Sequence, residues 1–370
     1  MIPVVAAVSA GEIAKTLGRP EPTEEQRAVI EAPLEPLLVV AGAGSGKTET
    51  MSARVVWLVA NGLVRPDEVL GLTFTRKAAG ELADRVRARL RALRRAGLGV
   101  AGDAEGAGEP TVATYHSYAA SVVADHGLRL GVEPRSRLLG EAAAWQLATE
   151  VVESWDGPDG GTEMTNAPGT VVDAVLALAA ECAEHLVEPD DVEGFLADLL
   201  DRVARLPRSA PGAAPGTPLA ETAKVLAALQ RRRLVVPLLR GYLERKRELD
   251  VLDFGDQVRL AARIATEVDD VGAGERARFR VVLLDEYQDT SHAQLVLLRA
   301  LFGGGHPVTA VGDPHQSIYG WRGASAGSLE SFPRHFPRAG GRAAGVAYLS
   351  TSWRNDTAVL AASNTVAGPL

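Results

Sequence analysis

One ten-residue run, Val39-Val40-Ala41-Gly42-Ala43-Gly44-Ser45-Gly46-Lys47-Thr48, constrains this chain more than any other. Residues 37–40 read as a short buried strand and Glu49 onward as a helix, so the run is the turn between them. Its small residues let backbone N–H groups converge on a phosphate at a helix N-terminus. Lys47 would reach the β- and γ-phosphates of a nucleotide, and the Thr48 hydroxyl would ligate Mg²⁺. The pattern G-x-x-x-x-G-K-[ST] is met except at Ala41, where a methyl group replaces the first glycine. A glycine-rich loop that binds nothing has no need of Gly-Lys-Thr between a strand and a helix, so nucleotide binding is expected.

A second apolar run, Arg280-Val281-Val282-Leu283-Leu284, has the continuous hydrophobicity of a buried parallel strand and ends in Asp285-Glu286. Alone, such a run is more often an ordinary strand end. Paired with the Lys47 loop, the two acids divide two tasks: Asp285 in the Mg²⁺ shell, Glu286 orienting and deprotonating a water. A single crossover between parallel strands needs a dozen or more residues, whereas 238 separate Lys47 from Asp285. Something large is inserted in a nucleotide-binding core.

Further strands are expected at 68–75, 111–114, 307–311 and 346–349, which makes the fold an α/β doubly wound parallel sheet. From about 120 to 248, Ala, Leu and Val recur at three- and four-residue spacings, with helices at 141–152, 171–185, 192–206 and 219–248. Gly- and Pro-rich punctuation falls at 97–110, 156–169, 207–218 and 333–345. The arginines at 85, 87, 89, 91, 94 and 95 lie on one long helix and are expected to form a solvated face with one edge in reach of phosphate. Arg231-Arg232-Arg233 and Arg245-Lys246-Arg247 are likewise expected to face solvent.

With 370 residues there is room for two or three domains, and the net charge of −8 excludes a blanket basic surface. Any nucleic-acid contact must come from a local patch. The single cysteine, Cys182, allows no internal disulfide and suits a reducing cytoplasm; a buried, inert thiol is expected. No apolar run reaches 18 residues, so no membrane span is expected. The apolar start at 1–8 lacks a basic leader and reads as a loose terminus or local strand.

The remaining motifs fall in a fixed order. They are Pro22-Thr23-Glu24-Glu25-Gln26; the Lys47 loop; Leu72-Thr73-Phe74-Thr75-Arg76-Lys77-Ala78-Ala79; Thr114-Tyr115-His116-Ser117; Asp253-Phe254-Gly255-Asp256; and Asp285-Glu286-Tyr287-Gln288-Asp289-Thr290. Then come Val311-Gly312-Asp313-Pro314-His315-Gln316-Ser317-Ile318-Tyr319-Gly320-Trp321-Arg322 and Leu349-Ser350-Thr351-Ser352-Trp353-Arg354-Asn355. Over about residues 22–356 the chain resembles the UvrD/Rep family of superfamily 1 DNA helicases, whose relatives include RecB-type and AdnAB-type helicase–nuclease subunits.

The resemblance implies an ATP site formed by Gln26, Ala41, Gly42, Ala43, Gly44, Ser45, Gly46, Lys47, Thr48, Trp353 and Arg354. Gln26 matches the glutamine that reads adenine; from its own sequence context it is only a first-turn residue after a Thr23 cap. Trp353 stands where many members carry an adenine-stacking tyrosine. Gln316 matches the glutamine that senses the γ-phosphate, and Arg354 an arginine that reaches it, beside Lys47, Asp285 and Glu286 as catalytic residues. Phe74, Tyr319 and Trp321 match positions that stack on single-strand bases, with Arg76, Lys77 and Arg322 offsetting backbone charge and Thr114 and His116 contacting the strand. Read alone, Phe74 is a core residue, Tyr319 and Trp321 are surface residues, and His116 lacks any partner at metal-ligand spacing.

The implied organisation is a RecA-like domain in two parts, 1–120 and 249–348, a helical insertion at 121–248, and the start of a truncated second motor domain at 349–370. The expected function is an Mg²⁺- and ATP-dependent 3′→5′ motor on single-stranded DNA and single-strand/duplex junctions, in the cytoplasm, serving repair or recombination, with a helicase–nuclease partner subunit as one option. The alternative is an ATP- and DNA-binding half-module that unwinds nothing without a partner or the missing domains. A P-loop ATPase of another kind would leave the run from Gln316 to Arg322 without a purpose.

Overall fold

The computed structural model describes residues 8–98, 108–133, 136–156, 167–205, 220–318, 320 and 327–368. In chain order the first elements are α1 (Ala10–Thr16), α2 (Glu24–Ile30), β1 (Leu37–Ala41), α3 (Lys47–Ala60), β2 (Val69–Thr73), α4 (Arg76–Arg95), β3 (Thr111–Thr114) and α5 (Tyr115–His126). There follow β4 (Arg137–Leu138), α6 (Glu141–Glu153), α7 (Pro168–His185), α8 (Pro189–Ala204), α9 (Ala220–Glu248), β5 (Val251–Leu252) and α10 (Phe254–Glu267). The last are α11 (Asp269–Arg278), β6 (Val281–Leu284), α12 (His292–Phe302), β7 (Val308–Gly312), α13 (Ser328–His335), β8 (Gly345–Leu349) and α14 (Thr357–Ala367). They divide into two compact units, residues 1–122 with 261–370, and residues 123–260.

The first unit is built on a six-stranded, wholly parallel sheet in the order β3-β2-β6-β7-β1-β8. The α/β doubly wound expectation holds. β6 and β7 are buried along their whole length, which explains the unbroken apolar sequence of β6 and the largely apolar one of β7, whose one polar side chain is Thr309. Val39 pairs with Val311 and Leu72 with Leu284, and Val39, Leu58, Val69, Leu82, Val281 and Val311 share one core. Burying each such side chain contributes roughly 1.5–3 kcal/mol. Because every strand runs the same way, all six C-terminal ends, and the loops that follow them, lie along one edge.

The second unit is helical apart from the two-residue pairing of β4 with β5. Leu147, Ala148 and Val152 of α6 pack with Val172 and Val175 of α7 and Leu238 and Tyr242 of α9. Cys182 is buried there, and that burial raises its thiol pKa, which suppresses the thiolate.

Three sequence expectations give way. Arg89 is not on a solvated face; it is buried and binds Glu49 of α3 through both carboxylate oxygens, at 2.6 and 2.7 Å. Lys246 is buried between Asp253 and Asp256, while Arg245 and Arg247 stay exposed. The segment 333–345 begins inside α13, which carries Pro333 in its last turn.

Candidate active site

The sheet order sets out the chemistry along the C-terminal edge. β3 delivers Thr114, β2 delivers Phe74, β6 delivers Asp285 and Glu286, β7 delivers Asp313, β1 delivers the glycine-rich loop, and β8 delivers the segment 350–354. The carboxylates thus stand between the loop and the side chains expected to touch a strand of DNA.

The loop makes its turn through left-handed glycines, Gly44 at φ 76° and Gly46 at φ 84°. A Cβ on Gly44 would lie 2.6 Å from Arg354 Cβ, and one on Gly46 would lie 2.9 Å from Gln26 Nε2. Both glycines are therefore required by backbone conformation and by close approach. The 350–354 segment is held against the loop: Trp353 N donates to Gly44 O at 2.9 Å and Ser352 Oγ to Ala43 O at 3.1 Å. Glu25 of α2 anchors it by accepting from Ser350 N at 2.8 Å and Ser350 Oγ at 2.6 Å, bonds that lower the Glu25 pKa. Arg354 and Trp353 so adjoin the loop, with Trp353 67% exposed. Gln26 serves its own helix too, its Oε1 accepting from Thr23 N at 3.1 Å while Nε2 reaches Ser45 O at 3.5 Å.

Lys47 opens α3 at the end of the loop. Its Nζ is buried without a hydrogen-bond partner and stands 3.5 Å from Glu286 Oε2. Asp285 is 8% exposed, and burial, reinforced by the neighbouring Glu286, pushes its pKa up to about 6 despite a bond from Glu286 N and the pull of Lys47. Glu286 adopts the left-handed conformation, φ 51° and ψ 42°, which a side chain with a Cβ rarely takes. Such strain persists only where surrounding contacts impose it, and it turns Glu286 toward Lys47.

Those contacts form a relay. Gln288 Nε2 donates to Glu286 Oε2 at 2.9 Å, and Gln288 Oε1 accepts from Asp313 N at 3.1 Å. Asp313 in turn accepts from Gln316 Nε2 at 2.5 Å and from His315 N at 3.0 Å. Gln316 is thereby linked to Glu286 through two residues that sequence reasoning did not single out. Both lay inside quoted motifs, Gln288 shortly after Asp285-Glu286 and Asp313 shortly before Gln316. Gly312 permits the relay, since a Cβ there would sit 2.6 Å from Gln288 Oε1.

At the other end of the edge, Phe74 is half-buried just beyond β2, and Arg76 and Lys77 are exposed on the first turn of α4. Thr114 is buried, its Oγ1 engaged by Ser117 N at 3.1 Å and Ser117 Oγ at 2.8 Å, and His116 is half-buried one residue beyond Tyr115. Tyr319, Trp321 and Arg322 lie outside the described residues.

A sequence model of the UvrD/REP helicase N-terminal domain matches residues 22–337. The ATP-dependent DNA helicase UvrD1 of Mycobacterium leprae is 28% identical over 366 residues, covering 96% of this chain and 40% of that protein. A probable DNA helicase II homolog of Rickettsia conorii is 27% identical over 345 residues, 93% of this chain and 44% of the relative. The ATP-dependent DNA helicase PcrA of Staphylococcus aureus is 26% identical over 342 residues, 92% of this chain and 39% of the relative. The chain spans about two fifths of the length of these curated relatives.

Proposed function

The chain belongs to the UvrD/REP helicase family, and from that membership we propose that its sheet edge is the ATP-hydrolysing half of a DNA motor. The observation that carries the reading is the buried Lys47 Nζ, without a hydrogen-bond partner and 3.5 Å from Glu286 Oε2, at the mouth of a loop where a Cβ on Gly44 or Gly46 would meet a neighbouring side chain. Glu286 balances the charge of this ammonium at 3.5 Å but leaves its N–H donors unfilled, and the oxygens of a nucleotide's phosphates would fill them.

In this reading Lys47 binds the β- and γ-phosphates and the loop's backbone amides cradle them. Gln26 reads the base and Trp353 stacks on it. Glu286 orients the attacking water and accepts its proton, Gln316 senses the γ-phosphate through the relay to Glu286, and Arg354 meets the charge that develops in the transition state. Mg²⁺ fits the same site: the Asp285 carboxylate is buried beside a second acid, Glu286, and Thr48 directly follows the loop's lysine. Thr48 and Asp285 would hold the ion together with the phosphates. When bound, the ion would neutralise charge on the transferring phosphoryl group.

The DNA side is assigned to Phe74, Arg76, Lys77, Thr114 and His116, with Tyr319, Trp321 and Arg322 added from their motif. Translocation 3′→5′, a role in repair or recombination, work at single-strand/duplex junctions, and a helicase–nuclease partner subunit follow from family likeness. No helix among the described residues is long and apolar enough to cross a membrane; a cytoplasmic setting is part of the proposal. The domain reading is a RecA-like core at 1–120 and 249–348, a helical insertion at 121–248 and the start of a second motor domain from 349.

Steady-state ATP hydrolysis with and without oligo(dT) tests the reading, with Glu286→Gln as the blank. DNA-stimulated turnover lost in that variant supports a coupled motor site. Mg²⁺-ATP binding without turnover, lost in Lys47→Ala, supports the half-module reading. Absence of ATP binding overturns both.

A further inference from the structure

Tyr115 is the first residue of α5 and follows β3 without an intervening loop. Its ring is 3% exposed, and its hydroxyl donates to the main-chain carbonyl of Asp285 at 3.0 Å, across 170 residues of sequence. Asp285 N donates to Leu72 O of β2 at 2.8 Å. The Asp285 backbone is thus held on both sides, by the strand that ends at Thr73, next to Phe74, and by the residue between Thr114 and His116.

That carbonyl belongs to the peptide plane leading into Glu286, the residue in the strained left-handed conformation. The orientation of the plane sets the φ of Glu286, and with it the direction of the carboxylate facing Lys47. A hydrogen bond buried in a low-dielectric interior holds such a plane more firmly than one in water.

We propose that Tyr115 is a positioning residue that couples the strand-contacting turn at Thr114 and His116 to the hydrolytic carboxylate Glu286, through its hydroxyl bond to the Asp285 carbonyl. The proposal rests on the reading of Glu286 as the hydrolytic base. A strand of DNA that shifts the 114–116 turn moves the phenol, and the phenol moves the peptide ahead of Glu286. Stimulation of hydrolysis by DNA then has a physical path of one side chain.

The test is Tyr115→Phe, which removes one oxygen and keeps the ring, with Tyr118→Phe as control. Tyr118 is a neighbouring buried tyrosine of the same helix, and its hydroxyl donates to Glu275 at 2.5 Å, away from the carboxylate pair. In Tyr115→Phe the ratio of DNA-stimulated to basal kcat is expected to fall about tenfold, with KM for ATP and oligo(dT) affinity retained. Tyr118→Phe is expected to leave that ratio in place. An unchanged ratio in Tyr115→Phe, or an equal fall in both variants, overturns the proposal. If Glu286→Gln retains full turnover, the reading of the hydrolytic site fails instead, and the two failures are told apart.

Discussion

A single buried guanidinium shows how much one side chain can organise here. Arg54 of α3 is fully buried, yet it is neutralised by no carboxylate in its hydrogen-bond set. Its Nη1 donates to Val29, Ile30 and Ala32 carbonyls at 2.9, 3.2 and 2.8 Å, its Nη2 to Pro33 O at 3.0 Å, and its Nε to Thr309 Oγ1 at 3.2 Å. Burial pushes its pKa down to about 10, still high enough to stay charged at neutral pH. The charge is stabilised by the carbonyl end of α2, where the helix dipole is negative. Arg54→Leu leaves those carbonyls without donors and is expected to cost about 3–5 kcal/mol, read as a lower urea midpoint. A loss below about 1 kcal/mol would mean that water reaches the carbonyls and that the guanidinium is dispensable. Nothing in the sequence distinguishes Arg54 from the exposed arginines, because its partners are backbone atoms of another element.

At the scale of elements, the strands of the six-stranded sheet and the helices that follow β1 and β2 were legible, while the short β4 and β5 and the contacts between elements were not. β1, β6 and β7 are buried on both faces, and burial of that kind writes an apolar run directly into the sequence. The helices of the second unit were legible by their three- and four-residue spacing for the same reason. Arg89 and Lys246 were misjudged because their acids, Glu49 and Asp256, sit on different helices, and charge runs carry no record of what opposes them. Gln288 and Asp313 escaped notice because their bonds cross from the end of β6 to the end of β7. Gly312, the last residue of β7, gives that crossing a test. An added Cβ would meet Gln288 Oε1 and Leu329 Cδ1, each at 2.6 Å, so the Gln288 amide must leave Glu286 or Asp313. Gly312→Ala is expected to cost roughly 1–3 kcal/mol in stability. It is also expected to lower ATP turnover about tenfold, because the Glu286 carboxylate loses its donor. Turnover that falls only in step with the melted fraction would show that the relay orients nothing.

At the scale of the whole molecule, charge decides how DNA could be held. The chain carries 47 acids against 39 lysines and arginines, so long-range attraction does not favour a polyanion. Many cations are already committed within the chain: Arg89 to Glu49, Arg240 to Asp190 and Glu193, Lys246 to Asp253 and Asp256, Arg259 to Glu188. On the proposed reading, affinity for DNA would come from stacking and from a few exposed cations beside the strand ends, chiefly Arg76 and Lys77. The Lys77 side chain is 87% exposed, and its ammonium lies 3.9 Å from Glu81, too loosely held to be neutralised. Each contact of a cation with a single-strand phosphate contributes roughly 0.7 to the slope of log K against log salt. Arg76→Ala with Lys77→Ala is therefore expected to flatten that slope by about 1.4, measured by anisotropy of labelled oligo(dT) across a salt series. Stacking is largely indifferent to salt, so Phe74→Ala should weaken binding at every salt concentration by roughly 1–3 kcal/mol without changing the slope. If the double variant leaves the slope intact, Arg76 and Lys77 do not touch phosphate, and the strand runs elsewhere than along the ends of β2 and β3.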